Sequence, residues 1–130
     1  EKWHHLFSAW CQPSDDPLRV SVQNKQITAN IEILAGAFRC QGPLLKEDEW
    51  THVAVVKEDT QLRLYVNGAV VHQTTVPPEL ETTATTIGLG CNPNYNQLEG
   101  YQGSIADVRV YAGVLTDAAI QRLQGTDTDQ

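Results

Sequence analysis

The 130-residue chain carries 16 Asp and Glu against 9 Lys and Arg, a formal net charge of −7, with 41% hydrophobic and 19% charged residues. That is the composition of one folded globular domain rather than a disordered chain. The acidic balance excludes nucleic acid and anionic membrane surfaces as primary partners, and the longest strictly apolar run, residues 53–56, is too short for membrane insertion.

Short alternating segments separated by turn residues predict an all-β sandwich. A first strand is expected over 6–12, ended by Pro13-Ser14-Asp15-Asp16-Pro17. In the next segment Leu18, Val20 and Val22 alternate with Arg19, Ser21 and Gln23. In the third, Ile27, Ala29, Ile31 and Ile33 alternate with Thr28, Asn30 and Glu32. Period two gives each strand one apolar and one polar face, and Asn24-Lys25 closes a hairpin between the two.

A strand begins at Trp50, and Leu62, Leu64 and Val66 mark another. Asn67-Gly68 then turns into Ala69-Val70-Val71, the sequence a type I′ hairpin requires. Pro77-Pro78 ends that strand, and the β-branched stretch 82–86 leads into Ile87-Gly88-Leu89-Gly90-Cys91. Residues 92–100 read as a polar loop and 104–111 as a final strand. One short helix follows: Thr116 caps it, Leu115 and Ile120 form a hydrophobic staple, and Gly125 closes it. With no methionine and a polar acidic end, the chain is expected to be part of a longer protein, with a domain over 1–125 and a polar linker or tail over 126–130.

The residues exclude several chemistries. Glu47-Asp48-Glu49 is a solvated acidic turn, since consecutive residues on a strand would alternate faces. Ser8, Ser21 and Ser104 lie in strand-like contexts without a nucleophile elbow. His4-His5 reads as a frayed, exposed pair and His52 as a packed sheet histidine, while Trp3, Trp10 and Trp50 serve core or edge packing. Cys11, Cys40 and Cys91 form no metal-knuckle spacing and leave the disulfide state open. The loop from 92 to 101 offers ligand-binding residues: the amides of Asn92, Asn94 and Asn96 both donate and accept, and Tyr95 and Tyr101 present faces for a sugar ring. The alternative is a plain connection.

Five blocks then occur in order: Trp50-Thr-His-Val-Ala-Val-Val, Leu62-Arg-Leu-Tyr-Val-Asn-Gly, Thr86-Ile-Gly-Leu-Gly, Gly103-Ser-Ile-Ala-Asp-Val-Arg-Val-Tyr and Leu115-Thr-Asp-Ala-Ala-Ile. Together with Phe7-Ser8-Ala9-Trp10, they resemble the laminin-G-like jelly-roll domain of the concanavalin A-like superfamily. The resemblance implies a two-sheet antiparallel jelly-roll sandwich with one short C-terminal helix. It also implies a structural calcium at Asp107; the residues alone offer instead an in-sheet ion pair with Arg109 or another cation, or a turn-facing acid. The stretch between Trp10 and Trp50 is short for the family, so a strand or loop is expected to be missing there. Ala119 stands where the family has an acid, which removes the capping box.

The superfamily's hydrolases resemble one another in an E-x-D-x-E strand, absent here. The expected function is therefore a non-catalytic carbohydrate-binding or adhesion module of an extracellular or cell-surface protein, with a glycan as ligand. The alternative is a protein–protein interaction or structural domain, whose mark would be a contiguous exposed apolar patch.

Overall fold

The computed structural model describes residues 3–94 and 99–128. Eight strands form two antiparallel sheets. The first sheet has the order β4-β3-β2-β1-β8, from β1 (His4–Ser8), β2 (Asp15–Gln23), β3 (Gln26–Ile33), β4 (Gly36–Leu44) and β8 (Gly88–Leu89). The second is a meander of β5 (Val53–Glu58), β6 (Gln61–Val66) and β7 (Ala69–Thr75). The jelly-roll sandwich expected from the sequence is thus present.

The core lies between the sheets. Val20, Ile27, Ala29, Ile31, Ile33 and Cys40 face Leu62, Leu64 and Val66, with Val76 at the edge. These are the apolar halves of the alternating segments. Asn24-Lys25 and Asn67-Gly68 turn with positive φ at both positions (54° and 61°; 50° and 83°), the primed-turn geometry that matches strand twist.

Helix α1 (Asp117–Thr128) packs on the outer face of the second sheet, where Ile120 and Leu115 meet Val56, Tyr65 and Ala54. Thr116 Oγ1 accepts from the Ala119 N–H at 3.1 Å, so the cap forms without the box. The Tyr65 hydroxyl donates to Asp117, tying the first turn to β6.

Several expectations need correction. The first strand ends at Ser8, and β2 starts at Asp15 with Pro17 absorbed into a bulge between Asp16 and Arg19, where a missing N–H is tolerated. The stretch thought too short contains β4, whose Gly36, Gly42 and Pro43 hide its alternation. Gly42 is needed there, because a Cβ would meet Ile27 Cγ2 at 2.5 Å.

The segment 104–111 joins no ladder: Asp107 sits at φ 55°, outside the range of extended strand, and Ile105, Val108, Val110 and Tyr111 are exposed. Trp50 is 71% exposed rather than packed, and strand β5 begins only at Val53. His52 precedes β5, with its backbone N–H held by Asn67 Oδ1 at 3.0 Å. The helix also continues through Gly125 to Thr128, so Gly125 does not close it.

Candidate functional site

Strand alternation builds the site. With the apolar residues of β2 and β3 turned into the core, Arg19, Ser21, Thr28, Asn30 and Glu32 point outward. The Asn24-Lys25 hairpin sets Arg19 opposite Asn30, and β4 sets Arg39 opposite the same Asn30. Arg19, Asn30 and Arg39 therefore form one row across three strands. Arg39 Nε donates to Asn30 Oδ1 at 3.1 Å, and Asn30 Nδ2 donates to Thr28 Oγ1 at 3.0 Å. Trp3 lies against this row, its ring centroid 4.5 Å from the Arg19 guanidinium and 5.2 Å from that of Arg39, both within cation–π range.

This outward face is polar yet largely buried. Ser21, Thr28 and Asp16 are 0% exposed and His5 is 1% exposed. His5 is the link between sheet and loop, not a frayed residue: the Ser21 hydroxyl lies 2.7 Å from Nδ1, and Nε2 lies 3.0 Å from Glu99 Oε1. A neutral ring accepts from Ser21 at Nδ1 and donates to Glu99 from Nε2. Glu99 Oε1 also accepts from Asn92 Nδ2 at 3.1 Å, and the Glu99 carbonyl accepts from the His5 N–H at the same distance. Serine, histidine and acid in a line resemble a nucleophilic relay. Ser21, however, is fully buried, so no substrate reaches its oxygen; the network positions the loop.

Burial pushes the His5 pKa below its ordinary 6.5, although Glu99 pulls it upward. The unfolded chain then binds a proton before the folded one does. Stability is expected to fall as pH drops from about 6.5 toward the lowered folded value, with no further contribution from His5 below it. Urea unfolding at a series of pH values checks this: His5→Gln should flatten that part of the profile, and an unchanged slope would refute the assignment.

Beneath Trp3, the Asp16 carboxylate accepts from Arg19 Nη1, and Glu32 lies 3.7 Å from the same nitrogen. Among the described residues Asp16 Oδ1 and Arg19 Nε have no hydrogen-bond partner. Burial pushes the Asp16 carboxyl above its usual range, with Arg19 opposing. Two cavities flank the indole. One, of 180 Å³, lies among Trp3, His5, Trp10, Arg19, Asn92 and Glu99. The other, of 320 Å³, lies among Trp3, Arg19, Asn30, Phe38 and Arg39. Glu32 borders both.

Of the described loop residues singled out in the sequence, Asn92 is the one that lines either of these two cavities. Its Oδ1 accepts from the Asn94 N–H at 3.0 Å, and Asn94 Nδ2 donates to the Trp10 carbonyl at 2.8 Å. The Tyr101 N–H donates to the Gly90 carbonyl at 2.9 Å, and its ring lies beside Gly103. Tyr95 and Asn96 lie outside the described residues. Sequence reasoning missed Trp3, His5, Trp10, Arg19, Glu32 and Arg39 as a group.

Asp107 is paired with Arg109, the ion pair that the residues alone offered. Both carboxylate oxygens accept from Arg109, at 2.8 and 2.9 Å, and no cluster of three metal-binding side chains occurs among the described residues. Cys11, Cys40 and Cys91 are free thiols. Among the described residues no helix is long and apolar enough to cross a membrane.

Comparison with known proteins places this architecture. A family model, Laminin_G_3 of the concanavalin A-like lectin/glucanases superfamily, matches residues 2–121. Curated proteins yield no match. Among solved structures, the CBM40 of the Ruminococcus gnavus IT-sialidase is similar at 19% identity and a TM-score of 0.79, covering 96% of this chain and 76% of that one. The same module bound to α2,3-sialyllactose is similar at 18% identity and a TM-score of 0.77, with the same coverage. An S-layer domain-containing protein from Clostridium thermocellum is similar at 20% identity and a TM-score of 0.53, covering 95% of this chain and 63% of that one. At these identities the likeness is one of fold.

Proposed function

The chain belongs to the Laminin_G_3 family of the concanavalin A-like lectin/glucanases superfamily, and from that premise we propose that it is a non-catalytic carbohydrate-binding module of an extracellular or cell-surface protein. The glycan sits on the outward face of the five-stranded sheet. The observation that carries this reading is the Trp3 indole, flanked by two cavities and held against Arg19 and Arg39. Sugar recognition needs this pairing: an aromatic face for the apolar side of a pyranose, and fixed amides, carboxylates and guanidinium groups for its hydroxyls. The neighbour solved with sialyllactose supports the same reading by fold.

Asn92 contributes from the loop, and Glu99 is oriented toward the ligand by His5. Glu32 and Glu99 share a cavity but serve as hydroxyl acceptors; Asp16, whose carboxyl burial raises, is fully buried. Calorimetric titration with α2,3-sialyllactose and lactose tests the proposal. The chain should bind at least one of them without cleaving it, and Trp3→Ala should weaken binding about tenfold or more, the scale of a lost base–aromatic or sugar–aromatic contact. Undiminished binding by a folded Trp3→Ala variant, or cleavage of the sugar, would reject it.

A second reading has its own observation: Ile105, Val108, Val110, Tyr111 and Val114 are exposed within ten residues, as a protein-contact surface would be. It predicts self-association or partner binding that Val110→Asp abolishes with glycan binding intact.

A further inference from the structure

The two arginines of the site differ in what already neutralises them. Arg19 is committed, with Asp16 bonded to Nη1 and Glu32 3.7 Å away. Among the described residues Arg39 is bonded to neutral amides: Nε donates to Asn30 Oδ1 and Nη2 to Gln23 Oε1. Among the described residues no carboxylate pairs with it. The amides orient the guanidinium without cancelling its charge, the Trp3 ring centroid lies 5.2 Å away, and Arg39 stays exposed, open to a ligand. The two cavities therefore differ in sign. Arg19 and Glu32 border both; the one beside His5 adds the Glu99 carboxylate, whereas the one beside Phe38 adds Arg39, which no carboxylate among the described residues pairs.

We propose that the two cavities are adjoining subsites of one groove divided by Trp3, with an anionic sugar unit, carrying a carboxylate or a sulfate, at Arg39 and a neutral unit at Glu99 and Asn92. This rests on the glycan-binding reading and adds to it a charge class and a direction. The guanidinium fork matches either anion with two parallel N–H···O bonds. An anion in the other subsite would face Glu99 without Arg39 to offset it, and like charges brought together oppose binding. Phe38 and Ala37 give the Arg39 subsite an apolar wall for the sugar's carbon face.

The test is calorimetric titration of the full chain with lactose, 3′-sulfolactose and α2,3-sialyllactose. The anionic sugars should bind about tenfold or more tighter than lactose, the scale of a charge-assisted hydrogen-bond pair. The preference should weaken as salt is raised. Arg39→Gln should bring the anionic-to-neutral ratio close to one, and Arg39→Lys, which keeps the charge but not the fork, should retain part of it. Tight binding of both anionic sugars assigns the subsite to charge; tight binding of sialyllactose alone assigns it to a carboxylate.

An equal affinity for all three sugars, or a ratio unchanged in Arg39→Gln, overturns the inference while leaving glycan binding standing. Binding of none overturns both. Should Arg39→Gln fail to fold, the Arg39 Nε–H resonance of the native chain decides. It should shift with sialyllactose and not with lactose, and the same shift with both sugars overturns the assignment.

Discussion

Arg19→Ala is expected to destabilise the fold by about 3–5 kcal/mol, the range for removing one partner of a buried ion pair. The Asp16 carboxylate is fully buried, its Oδ2 faces Arg19, and its Oδ1 has no partner among the described residues. Without the guanidinium, a charge remains in a low-dielectric site with nothing opposite it. Loss of the stack on Trp3 adds about 0.5–1 kcal/mol.

The deficit should depend on pH in a defined direction. Burial raises the Asp16 carboxyl, and losing Arg19 raises it further. A raised folded value means that the folded state holds the proton more tightly than the unfolded chain. The variant is therefore least handicapped in acid and loses stability as pH rises through the folded value. Urea unfolding of Arg19→Ala and of Asp16→Asn/Arg19→Ala measures both effects. The double variant should recover most of the loss, because no buried charge remains. A single variant within about 0.5 kcal/mol of the native chain would show that the pair is not buried as described.

Leu64→Ala is expected to cost about 2–5 kcal/mol. Leu64 is 0% exposed in the central strand of the second sheet, and its Cδ2 reaches within 3.5 Å of where Gly42 of β4 would carry a Cβ. It therefore spans the gap between the sheets, and its removal leaves a cavity that neither sheet closes alone. Filling from the other side fails, since a Cβ on Gly42 also meets Ile27 Cγ2 at 2.5 Å. Gly42→Ala/Leu64→Ala should be less stable than Leu64→Ala. A double variant more stable than Leu64→Ala would show that Ile27 gives way readily. Thermal unfolding of the set resolves these differences, because a loss of this size lowers the Tm by about 10 °C or more in a domain of this length.

The sandwich was legible because its core is written with period two. Val20, Val22, Ile27, Ala29, Ile31 and Ile33 alternate with polar residues, and Asn24-Lys25 and Asn67-Gly68 fix the turns that join their strands. The register of one hairpin was legible too, since a two-residue turn at 24–25 places Arg19 opposite Asn30.

What failed, failed locally. Glycines and a proline disguised β4, and nothing in Ile105-Ala-Asp-Val-Arg-Val announces that Asp107 takes a left-handed backbone conformation. The site was illegible for a different reason. The polar faces of β2 and β3 read as solvated, as most polar faces are. Their burial depends on contacts between residues far apart in sequence: His5 to Glu99, Trp3 to Arg39, Asn94 to Trp10. The loop drew attention through its composition, yet its best-placed residue, Asn92, acts as a wall of a site made mostly by strands.

The most direct test of the account is a chemical-shift map of the ¹⁵N-labelled chain titrated with α2,3-sialyllactose. The outward face of the five-stranded sheet predicts saturable shifts at the Trp3 indole N–H, at Arg19, Asn30 and Arg39, and at the Asn92 side-chain amide, with the core of the second sheet unmoved. Shifts confined to residues 104–114, or no shifts at a millimolar excess of sugar, would contradict it.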